Sequence, residues 1–263
     1  TITTWQEQQM SNVILETRGL TKEFNGFTAV NSVDLQVHTG HIHALIGPNG
    51  AGKTTFFNLL TKFHAPTKGQ IFYQGQEITP LKSNQIARLG LVRSFQISAV
   101  FGHMTALENV RVALQRGEGN SYHFWVPQRR LNHLNQRALQ LLCEVGLETY
   151  ASVLAVEMPY GRKRALELAT TLALEPTLML LDEPTQGMGS EDVDVVVELI
   201  RRVSAGRTVL MVEHNLSVVS RLCDRITVLA RGAVLAEGDY ASVSANALVR
   251  EAYMGKEADE VHA

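Results

Sequence analysis

The chain has 263 residues, enough for one large or two small domains, and its 45% hydrophobic content is ordinary for a globular core. It carries 24 Lys and Arg against 26 Asp and Glu, a net charge of −2; nothing in it argues for a nucleic-acid surface, and nucleic acid is left out of the expected partners. No apolar run approaches the ~20 residues that span a bilayer, and the start TITTWQEQQMSN has neither the charge nor the apolar run of a signal peptide, so any link to a membrane is expected to go through another protein.

Taken in chain order, Ile14 to Arg18 and Ser32 to Val37 read as half-exposed antiparallel strands. His43 to Ile46 is a short apolar run, and a helix is expected to start near Lys53. Gly69 to Gly75 reads as a further half-exposed strand with turn residues at its ends.

From about Ala106 to Leu174 the pattern is helical, with Leu107, Val110, Val112 and Leu114, then Leu134, Leu139, Leu142 and Val145. Gly117 to Ser121, Trp125 and Pro127 interrupt it beside Arg129-Arg130. Apolar runs return at Leu178 to Leu181, Thr208 to Val212 and Ile226 to Leu229, with Val193, Val196, Val197, Ile200 and Val203 on one helical face between them. Continuous Val, Ile and Leu runs of this length suggest strands buried on both faces of a parallel sheet. The class is α/β, with an all-helical subdomain inserted into the core. The tail after Gly255, KEADEVHA, is expected to fray.

Cys143 and Cys223 both fall in apolar helical patterns and read as two buried thiols in a reducing compartment, which points to the cytoplasm. His38, His41 and His43 lie close together, but no carboxylate or thiol cluster joins them, so no zinc site is read.

Chemistry concentrates after His43 to Ile46. Gly47-Pro-Asn-Gly-Ala-Gly-Lys53-Thr54 matches G-x-x-x-x-G-K-[ST] in the strand-to-helix setting the motif requires. Glycines let consecutive backbone N–H groups curl around a β-phosphate, and the helix starting near Lys53 adds its positive dipole end. Lys53 suits the β- and γ-phosphates, and the Thr54 hydroxyl suits Mg²⁺. Downstream, Leu178 to Leu181 runs into Asp182-Glu183, at the strand end where α/β ligands sit. Asp182 suits a direct or water-mediated Mg²⁺ contact, and Glu183 suits a base that orients and deprotonates the attacking water.

Residues 158 to 164, MPYGRKR, open a further helical run. Pro159 fits a helix's first turn, where its missing N–H is not needed, and Gly161 allows close approach of a backbone or ligand. By itself the stretch reads first as a helix start with a basic, solvated first turn.

Taken together, from about Val13 to Gly255, the chain resembles the nucleotide-binding subunit of an ATP-binding cassette (ABC) transporter. The resemblance implies a P-loop NTPase (RecA-like) core with an antiparallel β subdomain and an inserted all-helical subdomain. One cassette is expected over 12–255, with 12–96 and 177–240 as the α/β core, 97–176 as the helical part, and 1–11 and 256–263 as flexible tails. It implies ATP bound by Gly47, Asn49, Gly50, Gly52, Lys53, Thr54, Thr55 and Asp182, and Mg²⁺ held by Thr54, Gln96 and Asp182.

Three further residues enter by their place in the family pattern. Phe24 matches the aromatic residue against adenine, although alone it reads equally as core. Gln96 matches the glutamine linking the Mg²⁺ site to the helical subdomain, and by itself is also a surface amide. His214 in Val-Glu-His-Asn-Leu matches a γ-phosphate contact, and by itself is also a buried, hydrogen-bonded histidine. The catalytic set implied is Glu183, His214 and Gln96.

MPYGR occupies the place of the signature segment, usually Leu-Ser-Gly-Gly-Gln, so Tyr160 and Gly161 are implied to contact the ATP held by a neighbouring cassette. Pro159 replaces the Ser, Arg162 replaces the Gln and could bring charge towards the γ-phosphate, and Gly189 replaces a residue that usually acts across the dimer.

Within the family the details resemble the larger ATPase of branched-chain amino-acid importers: Tyr-Gly with Arg-Lys-Arg, Leu-Glu-Leu-Ala, Val-Glu-His-Asn-Leu and the ending Ala-Tyr-Met-Gly. Subunits serving urea, amides or carboxylates, lipopolysaccharide-export ATPases and non-transport ABC switch proteins are the alternatives. The partners implied are a second ABC ATPase subunit, different from this chain or a copy of it, two transmembrane permease subunits, and indirectly an external solute-binding protein. The implied location is the cytoplasmic face of the inner (plasma) membrane.

Overall fold

The computed structural model describes residues 12–94, 100–115 and 133–254. Strands β1 (Val13–Phe24) and β2 (Phe27–His38) form a long hairpin, followed by β3 (Ile42–Ile46), helix α1 (Lys53–Leu60), β4 (Lys68–Tyr73) and β5 (Gln76–Glu77). Helix α2 (Ser83–Arg88) and strand β6 (Leu91–Ser94) come next, then α3 (Ala106–Gln115), α4 (Asn135–Glu144) and α5 (Tyr160–Leu172). The remainder is β7 (Leu178–Asp182), α6 (Ser190–Val203), β8 (Thr208–Val212), α7 (Leu216–Leu222), β9 (Arg225–Ala230), β10 (Ala233–Gly238), α8 (Tyr240–Ala245) and α9 (Ala247–Met254).

A four-stranded antiparallel sheet runs in the order β2-β1-β4-β5, and a six-stranded sheet in the order β10-β9-β3-β8-β7-β6. In the latter all neighbours are parallel except β10 against β9. The apolar runs at β3, β7 and β8 are buried at every residue, as expected of a parallel sheet covered on both faces.

The strand period then sorts them. Ala44, Ile46, Met179, Leu181, Val209 and Met211 join a core with α5, α6 and α7. Leu45, Leu178, Leu180, Leu210 and Val212 join a second core with α1 and the antiparallel sheet. Phe56 and Phe57 of α1 are fully buried there, and each such side chain contributes roughly 2–3 kcal/mol by removal from water.

Two-residue turns shape the hairpins. Asn25-Gly26, Gln74-Gly75 and Arg231-Gly232 all take positive φ at both positions, the backbone that matches the twist of flanking antiparallel strands. The first turn extends β1 and β2 beyond the ranges read from alternation, and the second splits the expected strand at Gln74. Strands β6 and β10 carry too little apolar pattern to be read in advance; β6 is assigned by its parallel pairing with β7, Leu91 opposite Leu178.

Helices α3, α4 and α5 pack through Val110, Leu141, Leu142, Val145, Leu166 and Ala169. Leu139, part of the expected apolar pattern, is instead exposed, as is Cys143 one turn on. The reading of two buried thiols is therefore corrected for Cys143. Cys223 is partly buried against Met211, and burial, helped by Asp224 and Glu213, pushes its thiol up to about 12. The Gly117 to Arg130 interruption and the tail after Gly255 lie outside the described residues.

Candidate functional site

The phosphate loop leaves β3 at Ile46 under tight constraint. A Cβ on Gly47 would meet the Leu229 carbonyl oxygen at 2.1 Å, and one on Gly52 would meet that of Ala29 at 2.3 Å. Both have positive φ, so any side chain there is excluded twice over. Gly50 also has positive φ, but open space around it. The Gly232 N–H donates to Ala51 O at 3.1 Å, bracing the loop from the β9–β10 turn.

Lys53 is 7% exposed, and its ammonium reaches back to donate to the carbonyls of Gly47 at 2.6 Å and Pro48 at 3.0 Å. Its charge is thus held within the curve of the loop. Gly52 is the N-cap of α1, no side chain caps the helix, and no acidic residue lies in its first turn. Those N–H groups and the dipole end make an anion site. Thr54 is exposed and Thr55 half-buried at its edge, while Asn49 is exposed on the loop.

Asp182 ends β7 and is buried, and Arg93 of β6 donates to its Oδ2. The other arm of the same guanidinium holds Asn58 Oδ1 of α1 at 2.6 Å. Arg93 therefore ties the Asp182 strand to the helix that starts at Lys53. Glu183 sits at φ 47°, in the left-handed region, with its N–H on Val212 O at 3.0 Å. A non-glycine residue held there costs roughly 1–2 kcal/mol.

The organising group is Glu213, fully buried. Its Oε1 accepts from Thr185 N at 3.1 Å and Thr185 Oγ1 at 2.6 Å, and its Oε2 accepts from the N–H groups of His214 at 3.1 Å and Asn215 at 3.2 Å. One carboxylate thus clamps the loop after Glu183 to the loop carrying His214. The His214 side chain is exposed, which removes the reading of it as a buried histidine. That description belongs to His43, buried with Nε2 at 2.8 Å from Thr227 Oγ1. No sequence motif singles out Arg93 or Glu213. The only local signal is a charged residue inside or beside a buried strand, which demands a partner.

Phe24 lies at the β1–β2 tip, 37% exposed, edge-to-face on His64 at 5.4 Å between ring centroids and beneath Lys22 Nζ at 4.9 Å. It is not a core residue. Gln96 lies outside the described residues.

Pro159 is the N-cap of α5 and not a first-turn residue, with φ −57° and ψ 154°. The expectation fails by one position, and the consequence is physical: proline has no side-chain oxygen to cap the N–H groups that follow. Gly161 has ordinary φ, and a Cβ there would lie 3.6 Å from Asp192 Oδ1, so an alanine fits. Tyr160 donates to Gln186 O at 3.3 Å and accepts from Arg164 Nη2 at 3.2 Å. The Arg162 guanidinium donates to Gly146 O at 3.2 Å and lies 5.3 Å from the centre of the Tyr150 ring, so it faces its own helical segment. Gly189 is the N-cap of α6.

The family described as ABC transporter matches residues 30–186, and the branched-chain amino acid ATP-binding cassette transporter family matches residues 233–259. The chain is 39% identical over 254 residues to the high-affinity branched-chain amino acid transport ATP-binding protein BraF of Pseudomonas aeruginosa, covering 94% of this chain and 100% of that protein. It is 38% identical to LivG of Escherichia coli, which has the same descriptive name, with the same coverage. A crystal structure of the ADP conformation of an ATP-binding cassette of an ABC transporter superposes with a TM-score of 0.83 at 28% identity, covering 92% of this chain and 99% of that one. A nucleotide-free cassette gives 0.82 at 28% identity, with 92% and 98% covered. With this phosphate loop, these carboxylates and this fold, the chain belongs to the ABC transporter family and is one of its nucleotide-binding ATPase cassettes.

Proposed function

We propose that this cassette powers an importer of branched-chain amino acids, the solute class in the names of its BraF and LivG relatives. The observation that carries the reading is the clamp by Glu213, which sets Glu183 and His214 on neighbouring strand ends beside the phosphate loop. ATP binds with its phosphates on the N–H groups of Gly47, Asn49, Gly50, Gly52, Thr54 and Thr55, and with Lys53 on the β- and γ-phosphates. Phe24 takes the adenine. The oxygen donors of Thr54 and Asp182 suit a hard cation, and with Gln96 they would hold Mg²⁺. The chemistry such an ion would supply is neutralisation of the charge that develops on the β- and γ-phosphates. Glu183 orients water and takes its proton, and His214 contacts the γ-phosphate.

Residues 12–255 act as one cassette, with 97–176 as its helical arm. The N-terminus of α5, at Tyr160 and Gly161, completes the site of a second cassette, which is a different subunit or a second copy. Among the described residues no helix is long and apolar enough to cross a membrane. Two permease subunits hold the pair at the cytoplasmic face of the inner membrane, and an external binding protein delivers solute to them. The groove between α3, α5 and α2 receives the permease. Co-expression tests this: the tagged cassette retains permease subunits and supports ATP-dependent uptake of leucine, isoleucine or valine into vesicles. Retention of a permease that moves another solute replaces the solute class, and recovery with ribosomes instead overturns the transport reading.

A further inference from the structure

The seat of Phe24 is built by side chains that carry no motif. Helix α1 starts at the phosphate loop and ends at Leu60, and Lys62 then takes the left-handed φ of 58° that turns a chain out of a helix. The His64 N–H donates to Asn58 O at 3.1 Å, which fixes this turn on the last part of α1. The same turn is tied to β1. Lys22 Nζ donates to Ala65 O at 2.9 Å, the Glu23 N–H to Thr67 Oγ1 at 3.0 Å, and the Thr67 N–H to Thr21 O at 2.8 Å.

These bonds bring the His64 imidazole onto the Phe24 ring, with centroids 5.4 Å apart and planes at 78°. The Phe63 ring meets the same imidazole at 5.1 Å and 65°. Both contacts have the edge-to-face geometry that aromatic rings favour. Lys22 Nζ lies 4.9 Å from the centre of the Phe24 ring, so a cation steadies it as well. Phe24 nevertheless stays 37% exposed, across the turn from its strand partner Phe27, which is 67% exposed. A ring open to water on part of its surface, yet already fixed by two contacts, loses little rotamer freedom when a flat partner stacks on it. Helix α1 is eight residues long, about 12 Å at the rise of an α-helix. It joins the anion site at its start to this aromatic seat at its end.

We propose that His64 is a positioning residue for the nucleotide: its ring holds Phe24 ready to stack on the base, and α1 sets that seat at a fixed distance from the phosphates. The proposal rests on the reading of Phe24 as the adenine contact. It assigns His64 to base binding alone, because the ring touches Phe24 and Phe63 while Lys53 and the loop N–H groups handle the phosphates.

The test compares ATP with inorganic tripolyphosphate, which has phosphates and no base, by calorimetry on the full chain. His64→Leu keeps the backbone bonds of the turn and removes only the ring. It should weaken ATP binding by roughly three- to tenfold, the scale of ordering one side chain on binding, and leave tripolyphosphate within about twofold. His64→Phe, which restores a ring edge, should bind ATP as the parent does. In the assembled transporter His64→Leu should raise KM for ATP and leave kcat unchanged, as expected where binding alone is lost. Unchanged ATP affinity in His64→Leu, an equal loss for tripolyphosphate, or no rescue by His64→Phe overturns the proposal. Phe24→Ala separates the two readings. It should weaken ATP at least as much as His64→Leu does, and adding His64→Leu to it should cost nothing further, since the two rings act as one unit. If Phe24→Ala binds ATP as the parent does, the adenine reading itself fails and takes this proposal with it.

Discussion

Thr185 and Glu213 meet at 2.6 Å through Oγ1 and Oε1, and this bond joins the turn after β7 to the strand end of β8. Because the same carboxylate also accepts from His214 N, the relative position of Glu183 and His214 depends on a residue that is itself fully buried. Glu213→Gln puts an amide NH₂ where an acceptor is needed, against backbone N–H donors. The expected loss is about 2–3 kcal/mol of stability, read by chemical denaturation. Turnover should fall with it. A loss below about 0.5 kcal/mol would show that the clamp is dispensable.

Glu183→Gln removes the proposed base while keeping shape, so turnover should drop by roughly 10²–10⁴ with ATP binding retained. Since Glu183 sits at φ 47°, Glu183→Gly should also be inactive but no less stable than the parent, as relief of about 1 kcal/mol of left-handed strain offsets the extra entropy of glycine. Full activity in the Gln variant would remove Glu183 from the mechanism.

Pro159 has the extended ψ of an N-cap but no oxygen to serve as one. Pro159→Ser should stabilise the cassette by about 0.5–1 kcal/mol, seen as a higher Tm. In the assembled transporter it should also raise ATP turnover if the proposed shared site sets the added hydroxyl towards the nucleotide of a neighbouring cassette. Unchanged or lower turnover would show that the missing hydroxyl at Pro159 does not limit the shared site.

His43 is buried and its pKa is lowered to about 3, mainly by burial, with Arg225, His38 and His41 adding repulsion. The unfolded chain binds this proton near pH 6.5 and the folded chain does not, so stability is complete above about pH 6.5 and is lost as pH falls towards 3. This group contributes a slope of about 1.4 kcal/mol per pH unit in that window. His43→Gln, which can still bond Thr227, should flatten the denaturation midpoint between pH 4 and 6; an unchanged slope would show that other groups control acid unfolding.

Much of this molecule is decided locally and can be read in one dimension. The phosphate loop needs glycines, Lys53 and a strand-to-helix junction close together in sequence, and the buried strands β3, β7 and β8 announce themselves as continuous apolar runs. Periodicity tells which face of an element is apolar, but not which charged residue will find another. Arg93 meets Asp182 across 89 positions and Thr185 meets Glu213 across 28, each pairing made by adjacent parallel strands whose order no local pattern specifies. The same limit explains Leu139 and Cys143, which fit a helical pattern yet face outwards on α4. It also explains Glu167: a glutamate in a helix reads as solvated until the packing of α3 and α5 around the groove buries it. Residue types and spacing determined the chemistry available to this protein. The tertiary structure decided which charges share a site, because the cost of burying them is met only by partners that folding brings from elsewhere in the chain.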